Sequence, residues 1–477
     1  MAETSVHGAV RRRSSGDRPN RHKRRRPPPP SSDLISALPD AVIHHIFSFL
    51  PLKDVVKTSV LSKRWRSTWT TTTHLDFRYL RPRDHKRWPS LIESLMRRCA
   101  SPQPQGRRLA PLRGGAPCGG SFPASFNPLK GFYKLPEFLY RLSRLVRLQV
   151  VNCRFSLGTT IRWPCLKVLV IGSKLSDDIL EGIVRGSPVL ESLELRCWGV
   201  KNIIIDSRSV KELVIHFPTF DNMGKIWAPH LLSLRVSGVW DSYSMFRLAK
   251  ISSLVEAKLD FFMCGDKRTH RDLLKEFFEK LRGVSTITIG GWCLQGLSLL
   301  EVDGVPSPLS KCQNLTLHAL VSQWDLPGIA YLLQSSQCLE KLVIHLTGTG
   351  RFVVWLDEES KDRFNFDEEE FLCSRKGNLE CLAKHLRRVE IIGYEANSFE
   401  SKHLLALIKF LLGNALVLKK LIIKAELPTR RGQKRLQATV LSKLLGVSQN
   451  VLSYQRASKN AEIIFDHPFK EYENPGL

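Results

Sequence analysis

The sequence predicts an α/β chain in two unequal parts: a small cluster of short helices, then a long strand-and-turn solenoid with a cap at its end. Three observations predict it. Residues 38–69, LPDAVIHHIFSFLPLKDVVKTSVLSKRWRSTW, carry helical apolar spacing in three brief segments. From residue 135 a pattern of the form LxxLxL returns eleven times. Near the end, residues 381–426 read as strand, loop, amphipathic helix and strand. At 477 residues, 43% hydrophobic and 25% charged, the chain has the composition and length of a globular protein with a large core.

Residues 1–32 precede the helices and carry part of the formal net charge of +27 in a run of Arg and Lys that ends at Pro27–Pro30. With almost no apolar content this tail is expected to be disordered. RHKRRRPPPP reads equally as a nuclear-localisation tract or as a solvated basic tail. The eleven cysteines are odd in number and scattered singly, which points to free or buried thiols in a reducing compartment. The N-terminus lacks the apolar core of a secretory signal. The longest apolar stretch, Leu404 to Leu418, is interrupted by Lys409 and Asn414 and is too short to cross a bilayer. A soluble chain of the nucleus or cytoplasm, with no membrane contact, is expected.

In the helical cluster Ile43, Ile46, Phe47 and Leu50 share one face. Asp40 after Pro39 starts this helix and Pro51 stops it. A second helix begins near Lys53-Asp54 with Val55, Val56 and Val60 as apolar content, and Ser62 can cap a third carrying Trp65 and Trp69. Helices this short are marginal alone, so their apolar faces imply packing on each other and on a partner. Leu38-Pro39-Asp40, Leu50-Pro51, the run Thr58 to Arg66 and Trp69 closely resemble the F-box motif of plant F-box proteins, with Ile43 where that family usually has Leu. The resemblance implies a three-helix F-box over 33–75 that docks a Skp-type linker and, through it, a cullin. Carried over, the linker-facing residues are Leu38, Pro39, Ile43, Ile46, Leu50, Pro51, Val60, Leu61, Ser62, Arg64 and Trp65.

Residues 76–134 follow, rich in Pro, Gly and Arg between Ser101 and Pro128, and read as a linker or irregular region. The repeats occupy 135–380. Their copies begin at Leu145, Leu166, Leu190, Val210 and Leu231, continue more loosely at Leu254, Val284, Cys312 and Leu339, and end at Leu386 and Leu418. The first five intervals are 21, 24, 20, 21 and 23 residues, within the leucine-rich-repeat range, and later ones lengthen to 30, 28, 27, 47 and 32. Each unit supplies one short strand and a helix or loop that closes the turn, as at Asp177 to Val184, and the units stack into one core. Asp357 to Glu370 is an acidic insertion expected to be an exposed loop.

His385-Leu386, Val389, Ile391, Gly393-Tyr394, the helix Leu404 to Leu412, Asn414-Ala415 and Leu418 to Leu421 are similar to the FBD motif found at the end of many plant F-box/leucine-rich-repeat proteins. That region, 381–426, is expected to continue the repeats as a cap. Residues 427–477 form an extension expected to fray after about 455.

No catalytic, metal or cofactor signature emerges. Thr347 to Gly350 lacks the Lys-Ser/Thr or third Gly of a phosphate loop. His44 and His45 are adjacent on a helix and point apart. In each LxxLxL unit the residues flanking the middle apolar position face the concave side. They include Arg147, Glu194, Glu212, Arg235 and Lys258, the substrate-facing candidates, and the mixture of signs argues against a phosphate-tracking groove. The family resemblance implies a non-catalytic, cofactor-free adaptor of a Skp-cullin-F-box ubiquitin ligase whose repeats hold a protein substrate. A solenoid scaffold, associated with nucleic acid through its basic surface, is the competing reading.

Overall fold

The computed structural model describes residues 34–77, 133–135, 137–196, 199–217, 224–240, 246–263, 267–346, 362–393, 401–425 and 445–466. The basic tail, most of the 76–134 region, Thr347 to Gly350 and the acidic stretch before Asp362 lie outside the described residues.

The N-terminal cluster contains α1 (Leu34–Ala37), α2 (Asp40–Phe47), α3 (Leu52–Lys57), a 3-10 turn (Thr58–Val60) and α4 (Trp65–Thr68). Pro39 and Pro51 occupy the N-cap positions of α2 and α3, where extended backbone turns into helix and no N–H is needed. Ser62 Oγ accepts from the Trp65 N–H at 3.3 Å, the cap expected from the sequence.

Among the described residues, thirteen strands follow in one parallel sheet whose spatial order is the chain order. They are β1 (His74–Asp76), β2 (Arg147–Val151), β3 (Val168–Gly172), β4 (Ser192–Leu195), β5 (Glu212–Phe217), β6 (Ser233–Trp240) and β7 (Glu256–Met263). The remaining six are β8 (Thr286–Ile289), β9 (Asn314–Ala319), β10 (Lys341–Leu346), β11 (Arg388–Gly393), β12 (Lys420–Ala425) and β13 (Glu462–Asp466). Strands β2 to β12 are the eleven repeat copies, in register, so that Leu193 lies beside Leu169 and Leu213. Their even positions point inward: Leu193 and Leu195 are each 0% exposed, as is Leu190 just before the strand.

The elements closing each turn account for the repeat lengths. A helix rises about 1.5 Å per residue and a strand about 3.3 Å, so crossing the same width as helix takes more residues. Three short units close through strands, Asn202–Ile204, Lys225–Trp227 and Arg247–Lys250, which form a second parallel sheet. Their buried Ile203, Ile226 and Leu248 recur at intervals of 23 and 22, a pattern present in the sequence but weaker than the main one. Helix α5 (Asp177–Gly186) closes an early unit. The intervals of 30, 28 and 27 hold α6 (Lys267–Lys280), α7 (Gly291–Val302) and α8 (Leu326–Ser335). The longest holds α9 (Glu368–Arg375) and α10 (Glu380–Lys384), and the last holds α11 (Lys402–Asn414). The end of the acidic insertion is therefore helical: Asp367 caps α9 by accepting from the Glu370 N–H, and three Glu side chains occupy the first turn, where the helix dipole favours them.

Two expectations are corrected at the ends. Residues past 455 do not simply fray: β13 pairs with β12 from Lys420↔Glu462 to Lys424↔Asp466, and Val447, Val451 and Ala461 are buried. The free edge of β12 supplies unpaired backbone groups for this extra strand. At the other end, β1 follows the helices at once and pairs with β2. In sequence the Pro/Gly-rich region therefore falls between β1 and β2 rather than between the helices and the first strand of the sheet. Leu52 of α3 joins Leu75 in the main core, a continuous cluster that runs to Ala461.

Candidate functional site: docking and recognition surfaces

The helical cluster has its own small interior. Ile43, Phe47, Val55, Trp65 and Trp69 pack together, with Phe47 edge-on to Trp65 at 5.6 Å between ring centroids. Leu38, Ile46 and Leu50 are half-buried against them, and Pro51 and Ser62 are also half-buried. Pro39, Val60, Leu61 and Arg64 face solvent. The structure thus divides the eleven docking candidates by exposure. Ile43 and Trp65 are 0% and 3% exposed, so a partner cannot reach them without opening the cluster, and their place is to hold it together.

What the cluster offers outward is apolar. Val60 is 86% exposed, Leu61 47%, and they are joined by Leu34, Ile35, Val42 and Phe49, which were not among the candidates. Trp65 Nε1 donates to the Ile35 carbonyl at 3.0 Å, and Arg64 donates to the Ser36 carbonyl and pairs with Asp40 at 2.6 Å. These bonds pin α1 and the start of α2 to the segment carrying Leu61, bringing Leu34 and Ile35 to the same part of the surface. Leu34 and Ile35 stand four and three residues before Leu38, a helical spacing that could have flagged them.

Where the cluster meets the sheet, His44 Nε2 lies 3.0 Å from Thr71 Oγ1 and 3.3 Å from the Thr68 carbonyl. His74, on β1, has its pKa lowered to about 4 by burial, reinforced by Arg147 and by His44 and His45. Among the described residues no group of three or more His, Cys, Asp or Glu side chains is placed to hold a metal ion.

The second surface is the outward face of the sheet. Arg147, Glu194, Glu212, Arg235 and Lys258 all occupy odd strand positions there, Arg147 exposed and the other four half-buried. Between β4 and β7 their charges pair locally. Arg235 reaches Glu212 at 3.6 Å and Glu256 at 3.8 Å, Glu194 pairs with Arg196, and Lys258 lies 3.7 Å from Asp260. Such half-exposed pairs add little to stability but keep this stretch of mixed sign. Farther along, the face becomes neutral at Thr288 and Thr316, and His318 stacks on His345 with ring centroids 5.0 Å apart. Burial lowers the His318 pKa, with Lys258 acting in the same direction.

Comparisons with known proteins agree with this architecture. A family model for the F-box domain matches residues 35–73, one for the LRR repeats of the FBD-associated F-box protein At5g56370 matches 123–289, and the FBD model matches 376–423. The Arabidopsis thaliana protein named "Putative F-box/LRR-repeat protein At3g18150" is 31% identical over 462 residues, covering 89% of this chain and 93% of the relative. F-box/LRR-repeat protein At5g02910 of the same plant is 33% identical over 340 residues, 66% of this chain and 72% of the relative. The three family models matched in that order along the chain, with a relative 31% identical over 89% of it, place the chain in the plant F-box/leucine-rich-repeat family.

Proposed function

We propose that the chain is the substrate-recognition adaptor of a Skp-cullin-F-box ubiquitin ligase, with the F-box docking a Skp-type linker and the repeats holding a protein substrate. The observation that carries the docking half is the outward apolar set, with Val60 the most exposed large hydrophobic side chain among those described. Exposed apolar anchors on short helices suit a partner that buries them. Ile43 and Trp65 act from inside, holding α2 and α4 so that these anchors keep their places. On this reading the chain performs no covalent chemistry and needs no cofactor, and it works in the nucleus or the cytoplasm beside the ligase. No helix among the described residues is long and apolar enough to cross a membrane.

The test is capture of a purified Skp-type linker by the full chain. Each apolar anchor buried by the partner contributes roughly 1.5–3 kcal/mol. Val60→Asp with Leu61→Asp should therefore weaken capture by about 100-fold or more while the melting curve stays in place. Undiminished capture by that double variant would overturn the docking surface. Leu38→Ala is the poorer probe, because Leu38 also packs on the interior and its loss loosens the cluster itself.

A further inference from the structure

The sheet's outward charges change character at its far end. Between β4 and β7, acids and bases alternate and pair, as Arg235 does between Glu212 and Glu256. On β10, β11 and β12, by contrast, the first positions are Lys341, Arg388 and Lys420, aligned in register on neighbouring strands. Like charges opposite one another weaken a sheet, so this arrangement opposes folding locally. Two carboxylates offset it in part: Glu390 takes both Lys341 at 2.7 Å and Arg388 at 2.6 Å, and Glu462 meets Lys420 at 3.3 Å.

The positions just before these strands add to the imbalance. Arg387 and Lys419 are both exposed and are held side by side, because the Lys419 N–H donates to the Arg387 carbonyl at 2.8 Å. Among the described residues neither has a carboxylate in ion-pair contact. Among the described residues, the lip of these three strands therefore carries five cations, against Glu340 and Glu390 at the same lip and Glu462 on the neighbouring β13. Neighbouring strands lie about 4.8 Å apart, so the lip spans about 10 Å, the reach of three or four residues of extended chain.

We propose that this lip, formed by Lys341, Arg387, Arg388, Lys419 and Lys420, binds an acidic segment of a partner protein, a short run of Asp and Glu side chains. This names a substrate class for the recognition surface and rests on the adaptor reading above. A short acidic run fits better than a nucleic acid. A phosphate backbone needs one sign of charge across many units, and Glu194, Glu212, Glu256 and Asp260 on β4, β5 and β7 would repel it. An acidic peptide need touch only the last three strands.

The experiment measures fluorescence anisotropy of a labelled eight-residue Asp/Glu peptide titrated with the full chain. Binding is expected at low ionic strength and should fall as salt screens the lip. Arg387→Glu with Lys419→Glu should weaken it at least tenfold, with an unchanged melting curve. Lys225→Glu, on the second sheet, should bind like the parent. The proposal is overturned if the double reversal binds as the parent does, if Lys225→Glu loses as much, or if a single-stranded RNA of equal charge binds tighter than the peptide. Linker capture separates the two readings. A parent chain that captures the linker but ignores the peptide defeats this proposal alone, and one that binds the peptide without capturing the linker defeats the adaptor reading.

Discussion

His74 sits where the F-box helices join the sheet, and its environment couples that junction to pH. Burial and the nearby Arg147 hold its folded pKa at about 4, below the ordinary value of 6.5. The unfolded chain therefore binds the proton more readily between those values. The sign follows: the stability contributed by neutral His74 is complete above pH 6.5 and is lost as pH falls toward 4. Melting temperature should drop across that window, and His74→Gln should flatten the drop; an equal slope in both proteins would show that His74 is not responsible. Ile43 and Val60 make a second contrast, both apolar and both in the F-box motif. Ile43→Ala removes a side chain that is 0% exposed and should cost about 2–5 kcal/mol, read as loss of the buried Trp65 and Trp69 fluorescence signature. Val60→Ala at 86% exposure should stay within about 0.5 kcal/mol.

Among the elements, the closing helices are placed by close approach as well as by apolar faces. Gly328 of α8 donates its N–H to Ser298 Oγ of α7 at 2.7 Å, and a Cβ there would lie 2.3 Å from the Leu294 carbonyl oxygen. Helix propensity favours Ala over Gly by about 1 kcal/mol. At this crossing the overlap should outweigh that gain, and Gly328→Ala should destabilise the chain by about 1–3 kcal/mol net in a denaturant melt. Strand positions were legible because a half-buried strand alternates with period two, and eleven copies repeat the signal. The closing elements were less legible. NIIID and KIWAP are too short to show a period, and only their register beneath the main strands makes Ile203 and Ile226 core residues. Within the F-box motif, spacing alone cannot separate Ile43, which faces inward, from Val60, which faces out.

At the scale of the whole molecule, a solenoid is only as sound as its ends, because an uncovered last repeat exposes both its apolar face and an open strand edge. The two ends are closed differently. At the start, β1 and Leu52 of the F-box helices complete the core, so the F-box also serves as a cap. At the finish, β13 pairs with β12, and Val447 and Val451 of the helix over 445–453 join the core. A chain ending at residue 444 should lose that cover, melt at lower temperature and self-associate on size-exclusion chromatography. A truncated chain that stays monomeric with an unchanged melt would show that the FBD strands suffice. Cys153, Cys312 and Cys381 lie along the interior, each thiol pushed up to about 12 by burial, which keeps them protonated and unreactive while the stack is closed.

The amino-acid sequence by itself determined the order of parts, the eleven inner strands and the segment that carries the F-box motif, because periodicity and short motifs are local properties of the chain. Only the tertiary structure decided which motif side chains are exposed, how the F-box is joined to the repeats and where the solenoid ends. Those depend on burial and on strand register, which bring Leu52 to Leu75, Glu462 to Lys420 and Arg387 to Lys419 across separations that no local pattern records.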